Sequence, residues 1–270
     1  MWTGEIRSAR RNTKLRVGLI GCGTIGCAFA EALQKPPLCE KARLVAVCDA
    51  KTGKAVSLAR RFRPRPKVVS MEQVVRGSDM ILEAASPSVV PSLLRQIRRT
   101  RRHLLVMSTA GLLEAPGLLR QARRAGCPIS VPSGALVGID GVKAFSGGSL
   151  QEATLTTRKP PQSFGLNRLR KAKVLFEGPA LKAVRAFPQN INVAATVVLA
   201  GVPLRKLRVK IIADPTLSKN THELSLKGRE GHLLSRAENL PSRNPKTSRL
   251  AILSATATLR QLFETVHIGT

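Results

Sequence analysis

The spacing of three glycines near the start of the chain is the first feature that could bind a ligand. Gly21, Gly23 and Gly26 form a Gly-x-Gly-x-x-Gly pattern inside RVGLIGCGTIG, residues 16–26. Between a strand and a helix, the first glycine allows a tight turn, the second lets the backbone approach a pyrophosphate, and the third lets the helix pack closely on the strand. We therefore predict a dinucleotide phosphate site formed by these glycines with Thr24 and Ile25. A tight turn in some other α/β domain is the alternative.

An acidic residue at the end of the next strand-like segment supports that prediction. Residues 44–48 are apolar and lead directly to Asp49, which lies 23 residues after Gly26. A carboxylate there can accept hydrogen bonds from the adenosine ribose and repels a 2′-phosphate, so it favours NAD over NADP. Lys51 and Lys54 follow closely and soften that preference. We expect NAD to be favoured and NADP to be tolerated.

Histidine is the side chain whose ordinary pKa is closest to that of a working acid or base at neutral pH, and the chain has four. His103 follows an arginine run and is expected at the surface, His267 is close to the C-terminus, and His232 is expected at a glycine-flanked turn. Only His222 lies in an Asn-x-His-Glu segment between two predicted strands, where a loop could present it to a ligand. From the residues alone, a structural histidine is the better interpretation of His222.

The order of elements predicts how these residues are positioned. Up to residue 133, apolar strand-like segments alternate with helical ones, which predicts a Rossmann-type, doubly wound parallel sheet. The residues that follow the predicted strands should line a cofactor cleft; they are Gly21–Gly26, Asp49, Ser86, Pro87, Ser108–Gly111 and Ser133–Ala135. From residue 134 the pattern changes to that of an α+β domain with a mixed sheet.

The predicted domains are a basic tail (1–13), a dinucleotide-binding domain (14–133) and a substrate, catalytic and dimerisation domain (134–246). A final helix (247–264) is expected to pack back on the dinucleotide-binding domain.

Composition limits the classes of function. The formal net charge is +29, from 45 Lys and Arg against 16 Asp and Glu, but aromatic residues are only 3% of the chain. Single-stranded nucleic acids bind through stacked aromatic side chains, so we expect nucleic acid to bind only non-specifically, through charge. The arginine runs are interpreted as solvated helix faces. No metal site and no membrane span is predicted. The five cysteines form no C-x-x-C pair, as in a cytoplasmic protein.

Five segments of the second half occur together and in a characteristic order. They are PSGALVGIDGVKA (132–144), LTTRKPP (155–161), FPQNINVAAT (187–196), IADPTLSKNTHEL (212–224) and NPKTSRLAILSA (244–255). With the glycine loop, these segments make the chain resemble the L-aspartate dehydrogenase family. The resemblance covers essentially everything after the basic tail.

The resemblance implies an amino-acid dehydrogenase acting on a CH-NH2 donor. Such an enzyme oxidises L-aspartate to iminoaspartate with NAD or NADP, giving oxaloacetate and ammonia after hydrolysis, and it supplies pyridine nucleotide biosynthesis. It implies a homodimer. It also places the catalytic histidine at His222 and cofactor contacts at Ala135 and Asn192. Asn192 has an alternative role as the cap of the following helix.

A pocket for aspartate must also hold two carboxylates, which calls for cations or helix N-termini. Arg158, Lys159, Lys246, Thr247 and Ser248 lie in family-like segments and are candidates. Two other functions stay open at this point. One is another two-domain nicotinamide enzyme of the dihydrodipicolinate reductase type. The other is a non-catalytic basic protein that senses a dinucleotide and binds nucleic acid.

Overall fold

The computed structural model describes residues 13–166, 169–186, 191–242 and 247–269. The chain forms two compact units. The first comprises residues up to 132 together with 255–267, and the second comprises residues 133–254 and those from 268 onwards. Apart from Thr13, the predicted basic tail lies outside the described residues.

The first unit contains a parallel sheet flanked by helices. Its strands are β1 (Leu15–Ile20), β2 (Ala42–Cys48), β3 (Lys67–Val68), β4 (Met80–Glu83), β5 (His103–Val106) and β6 (Ile129–Ser130). Its helices are α1 (Thr24–Ala32), α2 (Leu38–Lys41), α3 (Thr52–Ala59), α4 (Met71–Gly77), α5 (Val90–Thr100), α6 (Ala110–Glu114) and α7 (Pro116–Arg124). The strand order is β3-β2-β1-β4-β5-β6, and every pairing is parallel. This order confirms the predicted Rossmann-type sheet.

The second unit contains a mixed sheet. Its strands are β7 (Leu150–Lys159), β8 (Lys173–Pro179), β9 (Leu207–Ala213), β10 (Asn220–Gly228) and β11 (Gly231–Asn239). The helices are α8 (Ile139–Ser146), α9 (Ala180–Ala186) and α10 (Ile191–Leu199), and α11 (Arg249–Gln261) follows them in the chain. The strand order is β11-β10-β7-β9-β8, with only β7 and β9 parallel. The predicted α+β architecture with a mixed sheet is confirmed.

Each unit has its own hydrophobic core. In the first, α1 and α3 pack on one face of the sheet, and Ala255 and Leu259 of α11 belong to the same core. Helices α4, α5 and α7 pack together with the strands in the other layer. In the second, residues of α8, α9 and α10 cover the inner face of the sheet, to which Leu155, Val209 and Leu224 belong. Because side chains alternate along a strand, the residues between these three point to the outer face.

Two elements of the second unit were missed by the sequence analysis. Strand β11 follows β10 through a tight, glycine-flanked hairpin turn at Arg229 and Glu230. His232 lies in β11, just after this turn, so its expected position in the turn is wrong. Helix α8 begins after Gly138, which has a φ of +72°. Both segments have weak apolar patterns because each buries few side chains, and their pairing with the rest of the unit determines their structure.

Candidate functional site

The glycine loop lies between β1 and α1, at the carboxyl end of the central strand. Gly21 has a φ of +93°, and a Cβ there would lie 2.4 Å from the Ala84 carbonyl oxygen. A Cβ at Gly26 would lie 1.9 Å from the Gly21 carbonyl oxygen. At Gly23, in contrast, no described residue beyond its chain neighbours has an atom within 4 Å of such a Cβ. Two glycines are thus required by close backbone packing, and the third leaves an open approach for a ligand.

Helix α1 begins at Thr24 and presents its N-terminus at this open position. Gly23 is the N-cap and provides no side chain to accept from the first-turn amides, and the first turn contains no acidic residue. The first amides of a helix have no partner inside the helix and carry partial positive charge, so they favour an anion. Together with the open space at Gly23, these amides fit the pyrophosphate of a dinucleotide.

Asp49 follows β2 and is held beside the glycine loop. The Cys22 amide donates to its Oδ2 over 2.7 Å, and the Lys51 amide donates to its Oδ1 over 2.8 Å. Each carboxylate oxygen has a second lone pair, so Asp49 can still accept from ribose hydroxyls. Burial, and then the nearby Asp49 carboxylate, raise the pKa of the Cys22 thiol to about 12. Cys22 is therefore a neutral, packed thiol and not a nucleophile.

Glu83 is a residue of this strand edge that the sequence analysis missed. It ends β4, has no solvent exposure, and accepts hydrogen bonds from the amides of Ala85, Met107 and Ser108 and from the Ser108 hydroxyl. These bonds tie the chain after β4 to the chain after β5. Burial raises the pKa of Glu83 in spite of the four donors. An acid inside the apolar segment MILEAA (80–85) was the signal that could have identified it.

His222 is the central residue of the second unit's candidate site. It lies within β10, directly opposite Thr157 of β7, so the loop position expected for it is wrong. His222 is 4% exposed, and its Nδ1 shares a hydrogen bond of 2.9 Å with the Thr157 hydroxyl. Burial, and then the positive charge of Lys159, lower the pKa of His222 to about 3. The imidazole is therefore neutral at pH 7, and Nε2 has no hydrogen-bond partner among the described residues.

Side chains alternate between the two faces of β7, so two of the cations suggested as carboxylate ligands lie on opposite faces of the sheet. Lys159 lies two residues after Thr157, on the inner face with His222, and burial lowers its pKa to about 8. Arg158 points to the outer face and lies 4.0 Å from the Asp214 carboxylate. Lys246 lies outside the described residues. Lys159 is therefore the described candidate that shares a face with His222.

Ala135 lies near the same end of the inner face. Its carbonyl oxygen accepts from the Asn239 side-chain amide over 3.1 Å. Asn239 pairs with Asn220 across the hairpin, and Asn220 precedes His222 by two residues on β10. The Asn239 side-chain oxygen is buried and without a partner in the described part of the chain. The second unit thus brings Ala135, Asn239, His222 and Lys159 to one region of its sheet.

Asn192 is the second residue of α10 and is exposed, so it is not the cap of that helix as the alternative interpretation required. Its carbonyl oxygen accepts from the Thr196 hydroxyl over 2.9 Å. The helix packs on the inner face of the sheet through Ala194 and Val197. Asn192 therefore belongs to the layer that covers the strand of His222.

Ser248 and Thr247, the two candidate carboxylate ligands near α11, differ in their surroundings. The Ser248 hydroxyl accepts from the Ala251 amide over 3.1 Å, so Ser248 caps α11 and its hydroxyl serves the helix. Thr247 is half-buried.

In the first unit, His103 is buried in β5 with its Nε2 2.9 Å from the Ser130 hydroxyl, so the surface position expected for it is wrong. The arginine run ends before His103, which begins a strand inside the sheet.

Within the described residues, no three His, Cys, Asp or Glu side chains are grouped so that they could hold a metal ion. No helix in the described ranges has both the length and the apolar character needed to cross a membrane.

Comparison with known proteins adds family information to this geometry. Residues 140–262 match the family model described as aspartate dehydrogenase, C-terminal, and residues 16–111 match that described as NADP oxidoreductase coenzyme F420-dependent. The L-aspartate dehydrogenase of Methanosarcina acetivorans is 40% identical over 95% of this chain and 100% of its own length. That of Bradyrhizobium diazoefficiens is 33% identical over 96% and 95%.

A solved structure leads to the same family. The crystal structure of aspartate dehydrogenase from Thermotoga maritima superposes with a TM-score of 0.77 at 25% identity, covering 95% of this chain and 100% of that one. The relatives match both units along their whole lengths, so the resemblance seen in the sequence is confirmed. This chain is an oxidoreductase and belongs to the L-aspartate dehydrogenase family.

Proposed function

We propose that the protein oxidises L-aspartate to iminoaspartate with NAD, and that water then converts iminoaspartate to oxaloacetate and ammonia. The observation that supports this most directly is the neutral, threonine-held His222 beside Lys159 on one face of the second unit. The relatives of matching length are named L-aspartate dehydrogenase. In this proposal the first unit binds the dinucleotide and the second unit binds the amino acid.

The proposed cofactor contacts are Gly21, Gly23, Thr24, Ile25 and Gly26 at the pyrophosphate, Asp49 at the adenosine ribose, and Ala135 and Asn192 at the nicotinamide end. When bound, NAD accepts a hydride from the α-carbon of the amino acid. The carboxylate of Asp49 favours NAD, and the two exposed lysines that follow it, Lys51 and Lys54, allow NADP to bind as well.

His222 is proposed as the acid and base. Oxidation needs an uncharged amine, so the substrate ammonium must lose a proton, and the free Nε2 of a neutral imidazole can accept it. The two carboxylates of bound aspartate would stabilise the imidazolium and raise the low pKa of His222. Once that proton has been released to solvent, the same nitrogen is neutral again and can remove a proton from the water that attacks the imine. Thr157 positions the ring through the hydrogen bond at Nδ1.

Lys159 is proposed to bind one of the substrate carboxylates. It is the half-buried cation on the inner face beside His222, and a charge-assisted hydrogen bond is stronger where water is partly excluded. From the family resemblance we also propose a cytoplasmic homodimer whose product supplies pyridine nucleotide biosynthesis. Light scattering during size-exclusion chromatography measures the oligomeric state.

The test is the appearance of NADH absorbance with L-aspartate, D-aspartate, L-glutamate or L-alanine. We expect turnover with L-aspartate and a loss of at least about 100-fold in kcat for His222→Ala, the scale of general acid–base catalysis. His232→Ala is the matched control, since His232 is exposed in the neighbouring strand and its Nε2 shares a hydrogen bond of 2.8 Å with the Ser225 hydroxyl. Full activity of His222→Ala would remove it from the mechanism, and no turnover of L-aspartate by the unmodified protein would refute the proposed function.

A further inference from the structure

Two helices of the first unit present a continuous basic face that aspartate oxidation does not use. Helices α5 and α7 pack side by side on one layer of the unit. Their apolar side chains point to the sheet, and Val90, Leu93, Leu94 and Ile97 are fully buried. Seven exposed arginines form the solvent face, here called the α5–α7 arginine surface: Arg95, Arg98, Arg99 and Arg101 on and just after α5, and Arg120, Arg123 and Arg124 on α7.

The spacing within each helix aligns these side chains. Arg95, Arg98 and Arg99 follow an i, i+3, i+4 spacing, and Arg120, Arg123 and Arg124 repeat it. Residues at this spacing lie on one side of a helix. The Arg98 guanidinium also donates to the Gln121 side-chain oxygen, which joins the two helices. With a rise of about 1.5 Å per residue and about 8–10 Å between packed helices, the backbone positions of these arginines span roughly 9 Å along α5 and roughly 8–10 Å from one helix to the other.

The charge of this surface is not neutralised by the protein. Neither helix contains Asp or Glu. In the part of the chain that the structure describes, none of the seven arginines forms an ion pair. Arg98, Arg99, Arg123 and Arg124 lie in the last turns of their helices and complement the helix dipoles, but each dipole corresponds to only about half a negative charge at its C-terminus. Seven guanidinium groups without an ion pair to any described residue therefore favour an external polyanion.

The chemistry of the surface favours phosphodiesters in a duplex. Guanidinium groups bind phosphate oxygens in pairs, which ammonium groups do not. A surface that binds a lipid bilayer would also present apolar side chains that insert among the lipids. The large exposed apolar residues of the described chain lie elsewhere, and single-strand recognition would need aromatic platforms that this face lacks. Duplex DNA carries about one negative charge per 1.7 Å of its axis, enough to face several of these arginines at once.

The surface is also separated from the cofactor loop. In a parallel sheet each connecting helix starts at the carboxyl edge of the strands and runs back to the amino edge. The arginines occupy the last two turns of α5 and α7, so they lie towards the amino edge. The glycine loop follows the carboxyl end of β1. An occupant of the arginine surface would therefore leave the dinucleotide site open.

We propose that the α5–α7 arginine surface binds the phosphate backbone of a nucleic-acid duplex, independently of sequence. This goes beyond the proposed dehydrogenase function, which needs neither helix face. Binding would follow counterion release, so the affinity should fall steeply as salt increases.

The experiment is fluorescence anisotropy of a labelled 20-base-pair DNA duplex titrated with the full chain at several salt concentrations. The surface variant is Arg95→Gln, Arg99→Gln and Arg123→Gln together. The matched control is Arg170→Gln, Arg205→Gln and Arg229→Gln together, three exposed arginines of the second unit that form no ion pair with any described residue. Both variants lower the net charge equally.

We expect the surface variant to bind about tenfold or more weaker than the unmodified chain. Its slope of log affinity against log salt should be lower by up to about 3, because each lost phosphate contact lowers it by about 0.9. The control should change by less than about threefold. Equal weakening of both variants would overturn the proposal in favour of general charge attraction. Binding to phosphatidylserine vesicles in place of the duplex would overturn it in favour of a membrane. NADH production from L-aspartate should be the same in all three proteins, so a failure here is distinct from a failure of the proposed function.

Discussion

The two units build their candidate sites from different parts of the polypeptide. In the first, the ligand-facing groups are backbone amides, and glycines at 21 and 26 matter because a side chain would meet a carbonyl oxygen. In the second, the groups are side chains of neighbouring strands, since Thr157 and His222 meet only because β7 and β10 pair in one register. A backbone site leaves a local pattern in the sequence. A side-chain site depends on pairing between segments 65 residues apart.

The largest expected effect tests the backbone site. Gly26→Ala would place a Cβ 1.9 Å from the Gly21 carbonyl oxygen, so the loop must move. We expect a loss of about 100-fold or more in NAD affinity, with a destabilisation of about 2 kcal/mol or more, as overpacking of backbone commonly produces. Calorimetric titration with NAD and thermal unfolding measure both.

Gly53→Ala is the control, because a Cβ at this position of α3 meets nothing within 4 Å. Gly23→Ala sharpens the comparison, since its Cβ also meets no protein atom and should weaken NAD binding without destabilising the fold. Normal NAD affinity in Gly26→Ala would contradict the role assigned to the loop.

The side-chain site is tested by Lys159→Met, which keeps an unbranched side chain of similar length and removes its charge. Loss of a charge-assisted hydrogen bond costs about 1.5–3 kcal/mol, so we expect KM for L-aspartate to rise about 10-fold to 100-fold. KM for NAD should not change, and Lys159→Arg should recover part of the affinity. A change in kcat alone, with KM unaltered, would assign Lys159 to the control of His222 rather than to substrate binding.

The smallest expected effect compares one buried histidine from each unit. Burial lowers the pKa of His103 to about 4. A base whose pKa is lower in the folded state stays neutral there while the unfolded chain takes up a proton, so stability falls as pH decreases from about 6.5 to about 4. For His103 the full difference is about 3 kcal/mol.

His103→Gln should therefore weaken the dependence of the urea midpoint on pH over this range. It should leave oxidation of L-aspartate unchanged, because His103 lies in the first sheet and bonds to Ser130. An unaltered acid dependence, or lost activity, would show that the two histidines do not differ in role as the structure indicates.

The contrast between local backbone patterns and pairing of distant strands also explains how much of the fold could be predicted from the sequence. The strand before the glycine loop, the loop itself and Asp49 at the end of the next strand all have local causes in the sequence, and the structure has β1, α1 and β2 at these places. Strand β11 and helix α8 were missed because their patterns are weak without their partners. His222 and His232 were placed outside strands, and His103 was placed at the surface, because local sequence does not report which strand lies in the interior of a sheet.

The amino-acid sequence by itself determined the dinucleotide loop, the two kinds of domain and the family. These depend on neighbouring residues, on backbone conformations that only glycine adopts easily, and on segments whose order survives in the chain. Only the tertiary structure decided that Lys159 and not Arg158 shares a face with His222, that Glu83 joins two strand ends, and that two arginine-rich helices form one surface. Each depends on strand register or on helix packing, which set distances between residues far apart in the sequence.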